Sequence, residues 1–143
     1  MRKKSIWILG VLLVIAGVAI IGALFFYKPL TSQKDFVETP QLYQKLNQEN
    51  SKKFVLVFFK NGCPYCRSAK DEITSAIKQS DIPVYIVNTE SKTGKDFVNH
   101  FRIKYASTIT VLDSGKFKSL PYADKIDGKI KPIKSNIKQA LEE

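Results

Sequence analysis

Cys63 and Cys66 are the only two cysteines of the 143-residue chain, and they lie three positions apart in the stretch FFKNGCPYCRSAK. Such a pair can exchange disulfides, ligate a metal, staple the chain, or do nothing. Exchange needs one thiol that ionises and can be reached, and a second close enough to resolve the mixed disulfide. Metal binding needs about four ligands, and beyond the two cysteines the sequence offers one histidine and scattered carboxylates. No metal and no cofactor is therefore expected within one chain, and an iron–sulfur cluster shared between two chains is the one metal option left open. A structural bridge closing so short a loop would contribute only about 2 kcal/mol in the chain-entropy model.

The elements around the pair decide among these roles. Residues 53–60 are a continuous apolar, β-branched and aromatic run, which suits a strand buried on both faces. Residues 64–78 follow with helical periodicity, so Cys63 falls at the N-cap and Pro64 at the first helical position, where proline is favoured. The N–H groups of Tyr65 and Cys66 then point at the Cys63 sulfur, and the helix dipole favours its negative form. Lys60, Arg67 and Lys70 add positive charge nearby. From Cys66 the apolar stripe continues through Ala69, Ile73, Ala76 and Ile77, which turns Cys66 toward the core. Cys63 lies off that stripe at the exposed tip. The spacing thus makes Cys63 the attacking thiol and Cys66 the resolver.

Further elements follow from the same reading. Residues 40–48 and 94–101 have helical spacing, and residues 82–88 form a second buried-type strand. Residues 107–112 and 116–122 are strands around Asp113-Ser114-Gly115, a hairpin signal, and Asp127-Gly128 marks another turn. Pro132 opens a last helix that presents Ile133, Ile137 and Leu141 on one face. Strands alternating with helices imply a parallel βαβ unit, closed by an antiparallel pair: an α/β fold with a central mixed sheet flanked by helices.

The N-terminus reads differently. Residues 6–27 are apolar and uncharged, long enough to span a bilayer and too long for the core of a signal peptide. Arg2, Lys3 and Lys4 precede the run and only Lys28 follows at once, so the positive-inside rule leaves the N-terminus in the cytoplasm and exports the rest. The expected organisation is a cytoplasmic N-terminus over 1–5, a single transmembrane anchor over 6–27, a linker over 28–34 and an extracytoplasmic domain over 35–143. Of the net +10, the domain from Thr31 onward keeps +6, 19 Lys and Arg against 13 Asp and Glu, spread along it, and without a basic block or motif no nucleic-acid partner is expected.

Taken together, FFKNGCPYC after a buried strand, the helix behind it and the later STITVL, DSG, KFKSL hairpin resemble the thioredoxin superfamily across the exported domain. The Pro-Tyr pair is the one usual in glutaredoxins. The anchored layout looks most like the membrane-anchored, extracytoplasmic thioredoxin-like accessory proteins of Gram-positive bacteriocin, secretion and conjugation systems. The resemblance implies a thioredoxin-like fold and thiol–disulfide exchange on exported proteins or peptides, with a membrane redox partner resetting the dithiol and no cofactor. It implies substrate contacts from Pro64 and Tyr65 beside the catalytic Cys63 and Cys66, and from a facing loop of Ala106, Ser107 and Thr108.

Two positions depart from the family pattern. Ser107 stands where relatives carry a cis-proline; a cis bond before serine costs about 2.5 to 4 kcal/mol, so a trans bond is expected there. Val57, six residues before Cys63, stands where thioredoxins bury an acid that accepts the resolving thiol's proton. A second reading accordingly stays open, a non-catalytic thioredoxin-fold module for binding or assembly. Elsewhere His100 reads as a surface histidine, Phe58 and Phe59 as core, Asp71 and Glu72 as surface charges, and Tyr65 as an exposed neighbour of Cys63.

Overall fold

In the computed structural model, which describes residues 35–49 and 52–142, the apolar run KFVLVFF forms strand β1 (Lys53–Phe59), buried from Val55 onward. It is buried because it lies inside a four-stranded sheet. β2 (Val84–Asn88) pairs with it in parallel, and β3 (Thr108–Asp113) pairs antiparallel on its other edge. β4 (Lys116–Pro121) then pairs antiparallel with β3, so the order is β2-β1-β3-β4. The expected N-terminal segment, anchor and linker over residues 1–34 lie outside the described residues, and among those described no helix is long and apolar enough to cross a membrane.

The two-residue period of β1 divides the core. Val55, Val57 and Phe59 face helix α2 (Pro64–Gln79) and helix α4 (Lys134–Glu142), in a cluster with Cys66, Ala69, Ile73, Ile137 and Leu141. Leu56 and Phe58 face the other way, toward Leu42 of helix α1 (Leu42–Gln48) and toward Phe101, which closes helix α3 (Lys92–His100). Helices therefore cover both faces of one mixed sheet, the α/β architecture expected.

Four details differ from expectation. β2 is an edge strand with only Val87 fully buried, because a strand with one neighbour leaves its outer side open. Helix α3 starts at Lys92, capped by the Ser91 hydroxyl, which accepts the Gly94 N–H at 2.9 Å; the sequence reading placed its start at Gly94 and passed over the cap. The turn at Asp127-Gly128 joins two short strands, β5 (Ala123–Ile126) and β6 (Lys129–Pro132), which form their own two-stranded sheet. Asp127 and Gly128 have φ of 52° and 75°, the doubly left-handed conformation that a two-residue hairpin demands. Pro132 consequently ends β6, and α4 begins at Lys134.

Candidate active site

The strand-to-helix junction brings the two cysteines to the carboxyl end of β1. Gly62, at φ 75°, makes the tight turn that only a residue without a Cβ takes easily. Cys63 then caps α2 with extended backbone, and its Sγ accepts the Cys66 N–H at 3.4 Å. Pro64 occupies the start of the helix, where its missing N–H costs nothing. Of the two amides expected to address the sulfur, that of Cys66 does so.

The two thiols live in different surroundings. Both are free; Cys63 is half-buried and Cys66 is 1% exposed, packed with Ala69 and Ile73 beneath β1. Burial pushes the Cys66 thiol up, to about 12, and the neighbouring Cys63 adds to the rise. A cavity of about 820 Å³ opens beside Cys63, lined also by Tyr65 and by Ala106, Ser107 and Thr108. Tyr65 is half-buried against the core, more enclosed than expected. Pro64 is exposed, while Cys66 lies beneath the surface.

Ser107 immediately precedes β3 and is itself buried. Among the described residues no peptide bond is cis, so the bond before Ser107 is trans. The loop is held by a three-residue turn in which the Thr108 N–H donates to the Ala106 carbonyl at 2.9 Å. The Thr108 hydroxyl donates to the Tyr105 carbonyl at 2.7 Å, and the Ser107 carbonyl accepts the Tyr122 N–H at 3.0 Å.

The charges near the dithiol are more occupied than their positions in the chain suggest. Lys60 pairs with Glu90 at 3.2 Å. Arg67 grips Asp35 with two parallel bonds, Nε at 2.7 Å and Nη2 at 2.9 Å. The same carboxylate accepts the Gly62 N–H at 3.2 Å, so Asp35 ties the turn before Cys63 to the helix after it. The bond from Arg67 holds the Asp35 carboxyl below its ordinary value of 3.8, with Gly62 assisting against partial desolvation. A depressed acid stabilises the fold above its unfolded value, and that contribution is lost as the pH falls through its folded value. Asp35→Asn is therefore expected to lower the thermal midpoint at neutral pH, the gap to the parent closing below about pH 3.8 in a pH series of melts. A gap unchanged down to pH 2 would show that the charge is not what matters.

Val57 is wholly buried on the Cys66 side of the sheet, so no carboxylate lies at that position under the resolving thiol. Tyr122 is there in its stead. It is 0% exposed in the same cluster, its hydroxyl donates to the Phe58 carbonyl at 2.7 Å, and it also interacts with the Cys66 thiol. Sequence reasoning passed over both Tyr122 and Asp35, since neither sits at a recognisable spacing from the cysteines. His100 is an exposed residue at the end of α3, its ring edge-on to Phe101. Among the described residues no three His, Cys, Asp or Glu side chains converge as metal ligands.

A mixed sheet clad by helices, with a Cys-Pro-Tyr-Cys pair at the start of the helix after β1, defines a thioredoxin-like protein. The sequence matches the Thioredoxin family over residues 34–142, and the chain belongs to that family. No curated protein sequence matches it. Among solved structures, Trxlp from Edwardsiella tarda superposes with a TM-score of 0.54 at 17% identity, covering 73% of this chain and 97% of that one. The reduced thioredoxin pre-protein of Schistosoma mansoni gives 0.53 at 16% identity, over 75% of this chain and 96% of its own. Both likenesses are of fold.

Proposed function

We propose that the protein is a membrane-anchored, extracytoplasmic thiol–disulfide oxidoreductase that acts on exported proteins or peptides through Cys63 and Cys66. The observation that carries the reading is the pairing of a cavity-lining Cys63 at a helix N-cap with a sheltered Cys66 in the next turn. Cys63 attacks, Cys66 resolves, and the substrate segment lies in the cavity lined by Tyr65 and the loop of Ala106, Ser107 and Thr108, with the exposed Pro64 outside that lining. The anchor over residues 6–27 keeps the domain at the outer face of the cell membrane, where a membrane redox partner resets the dithiol. A specialised rather than general exchanger fits best, because Ser107 and Val57 replace the proline and the acid that serve broad, fast reduction in the family.

Those same two replacements favour one second reading, a thioredoxin-fold binding or assembly module that keeps its cysteines without turnover. Redox equilibration separates the two. The full-length chain is equilibrated in thiol–disulfide buffers, its free thiols are scored by alkylation, and reduction and oxidative refolding of a disulfide-containing protein are followed. We expect a dithiol that titrates within about −120 to −270 mV, the span of known exchangers, and that turns over in at least one direction. A dithiol inert in both directions would leave the binding module standing.

A further inference from the structure

Tyr122 lies between β4 and β5 with its backbone fixed on both sides. Its N–H donates to Ser107 at 3.0 Å, and its carbonyl accepts the Ile133 N–H at 2.9 Å. The side chain is wholly buried among Val57, Phe59 and Cys66, and its ring meets Phe36 edge-on. A phenol in such a place needs a partner, and the end of the β1–β3 ladder supplies one. Val57 opposite Ile109 is the last residue pair of that ladder. The Phe59 carbonyl points to the β2 side, where it accepts the Thr89 N–H at 2.8 Å, so by alternation the Phe58 carbonyl points to the β3 side beyond the last pair. The Tyr122 hydroxyl donates to that carbonyl at 2.7 Å.

A tyrosine hydroxyl has one proton to give and two lone pairs. With the proton on Phe58, the oxygen keeps its lone pairs beside the Cys66 thiol, which packs in the same buried cluster, and the interaction between the two groups favours the Cys66 thiolate. Once Cys66 is a thiolate, the same hydroxyl can turn its proton to the sulfur. It cannot act as a base, since burial first, and then the adjacent thiols, push the phenol far above its ordinary range. We propose that Tyr122 is the positioning residue of the resolving cysteine, orienting the Cys66 thiol at rest and donating a hydrogen bond to its thiolate in the exchange step. This rests on the dithiol-exchange reading above.

The step balances without any further reactant. The Cys63 thiolate attacks one sulfur of a substrate disulfide, forming the Cys63–substrate bond and releasing the other substrate sulfur as a thiolate. Cys66 gives its proton to that thiolate or to water, then attacks the Cys63 sulfur. The Cys63–Cys66 bond forms, the mixed disulfide breaks, and the second substrate thiolate leaves. The substrate gains two electrons, the dithiol loses two, and Tyr122 keeps its own proton throughout. In the reverse direction Cys66 departs as a thiolate, and the same hydroxyl stabilises it.

Tyr122→Phe removes the hydroxyl and keeps the ring. In single-turnover, acid-quenched reactions of the full-length chain with a disulfide-bearing peptide, mixed-disulfide formation is expected to stay within about twofold of the parent. Its decay at pH 7 is expected to slow about tenfold or more, the effect of a hydrogen bond to a charged group. The slowing should shrink as the pH rises and Cys66 ionises unaided. Equal slowing of both phases at every pH would mark Tyr122 as merely structural and overturn the proposal, as would unchanged decay. If the parent chain forms no mixed disulfide, the exchange reading itself fails. The contact is then judged by thiolate absorbance of Cys66 in a Cys63→Ser background, where Tyr122→Phe should lower its ionisation constant about tenfold, and no shift would overturn the contact too.

Discussion

Gly94→Ala is expected to destabilise the protein by about 3 kcal/mol, and so to lower its thermal midpoint by roughly 10 to 20 °C for a domain of this size. Helix propensity alone predicts the opposite sign, because alanine inside a helix is favoured over glycine by about 0.8 to 1.0 kcal/mol. The structure reverses it. A Cβ on Gly94 would stand 1.7 Å from the Asn88 carbonyl oxygen and 2.7 Å from its carbon, both backbone atoms at the end of β2. That carbonyl cannot swing aside cheaply, since it accepts the Ser91 N–H at 3.1 Å and shares the single Ser91 hydroxyl proton, at 3.0 Å, with Glu38. Ser91 in turn caps α3 through the Gly94 N–H and donates to Glu38 at 2.7 Å. To admit the methyl group, the first turn of α3 must lift from β2. The cap opens, and Phe97 and Phe101 loosen over Leu56 and Phe58. Against a total stability of about 5 to 15 kcal/mol, that is a large fraction. A melt of Gly94→Ala that matches or exceeds the parent would show that β2 and α3 are held less rigidly than these contacts require.

The same residue marks the boundary of what the chain discloses locally. β1, α2 and the capping role of Cys63 were legible, because a continuous apolar run, proline at the first helical position and a stripe from Cys66 to Ile73 are all short-range patterns. So was the absence of an acid at Val57, found by counting back from Cys63. The hairpin of β5 and β6 was only half legible. Its Asp127-Gly128 turn is visible, but its strands are four residues each and largely exposed, with lysines interrupting any apolar alternation. Ser91 was missed for a related reason: a serine cap is a weak signal until the helix start is fixed. Tyr122 and Asp35 were out of reach. Tyr122 matters because the β1–β3 register stops at Val57 and strands the Phe58 carbonyl, and Asp35 because folding brings it to Arg67 from 32 residues away. Contacts made by register and by long-range closure leave no periodic trace.

The dithiol supports the prediction with the largest functional effect. Cys63→Ser is expected to abolish exchange. Cys66→Ser is expected to leave the first attack intact and to accumulate the Cys63–substrate mixed disulfide, visible by non-reducing electrophoresis and released by dithiothreitol. The asymmetry follows from placement: Cys63 lines the cavity, whereas Cys66 is 1% exposed beneath β1. Ionisation reinforces it. With its thiol pushed up to about 12 by burial, Cys66 is almost wholly protonated at pH 8, and the thiolate is the reactive form. An external disulfide or alkylating agent must therefore wait both for an opening and for a proton to leave. Cys63, half-buried and lining the cavity, needs no such opening. Brief iodoacetamide treatment of the reduced full-length chain should add a single carbamidomethyl group, mapped by peptide mass to Cys63, at least about a hundredfold faster than the second. Once the mixed disulfide forms, Cys66 no longer competes as an outside reagent; held one helical turn away, it attacks at a high effective concentration that offsets its low thiolate fraction. Equal labelling of the two cysteines would reject this division of labour, and a mixed disulfide trapped through Cys66 in the Cys63→Ser chain would reverse it.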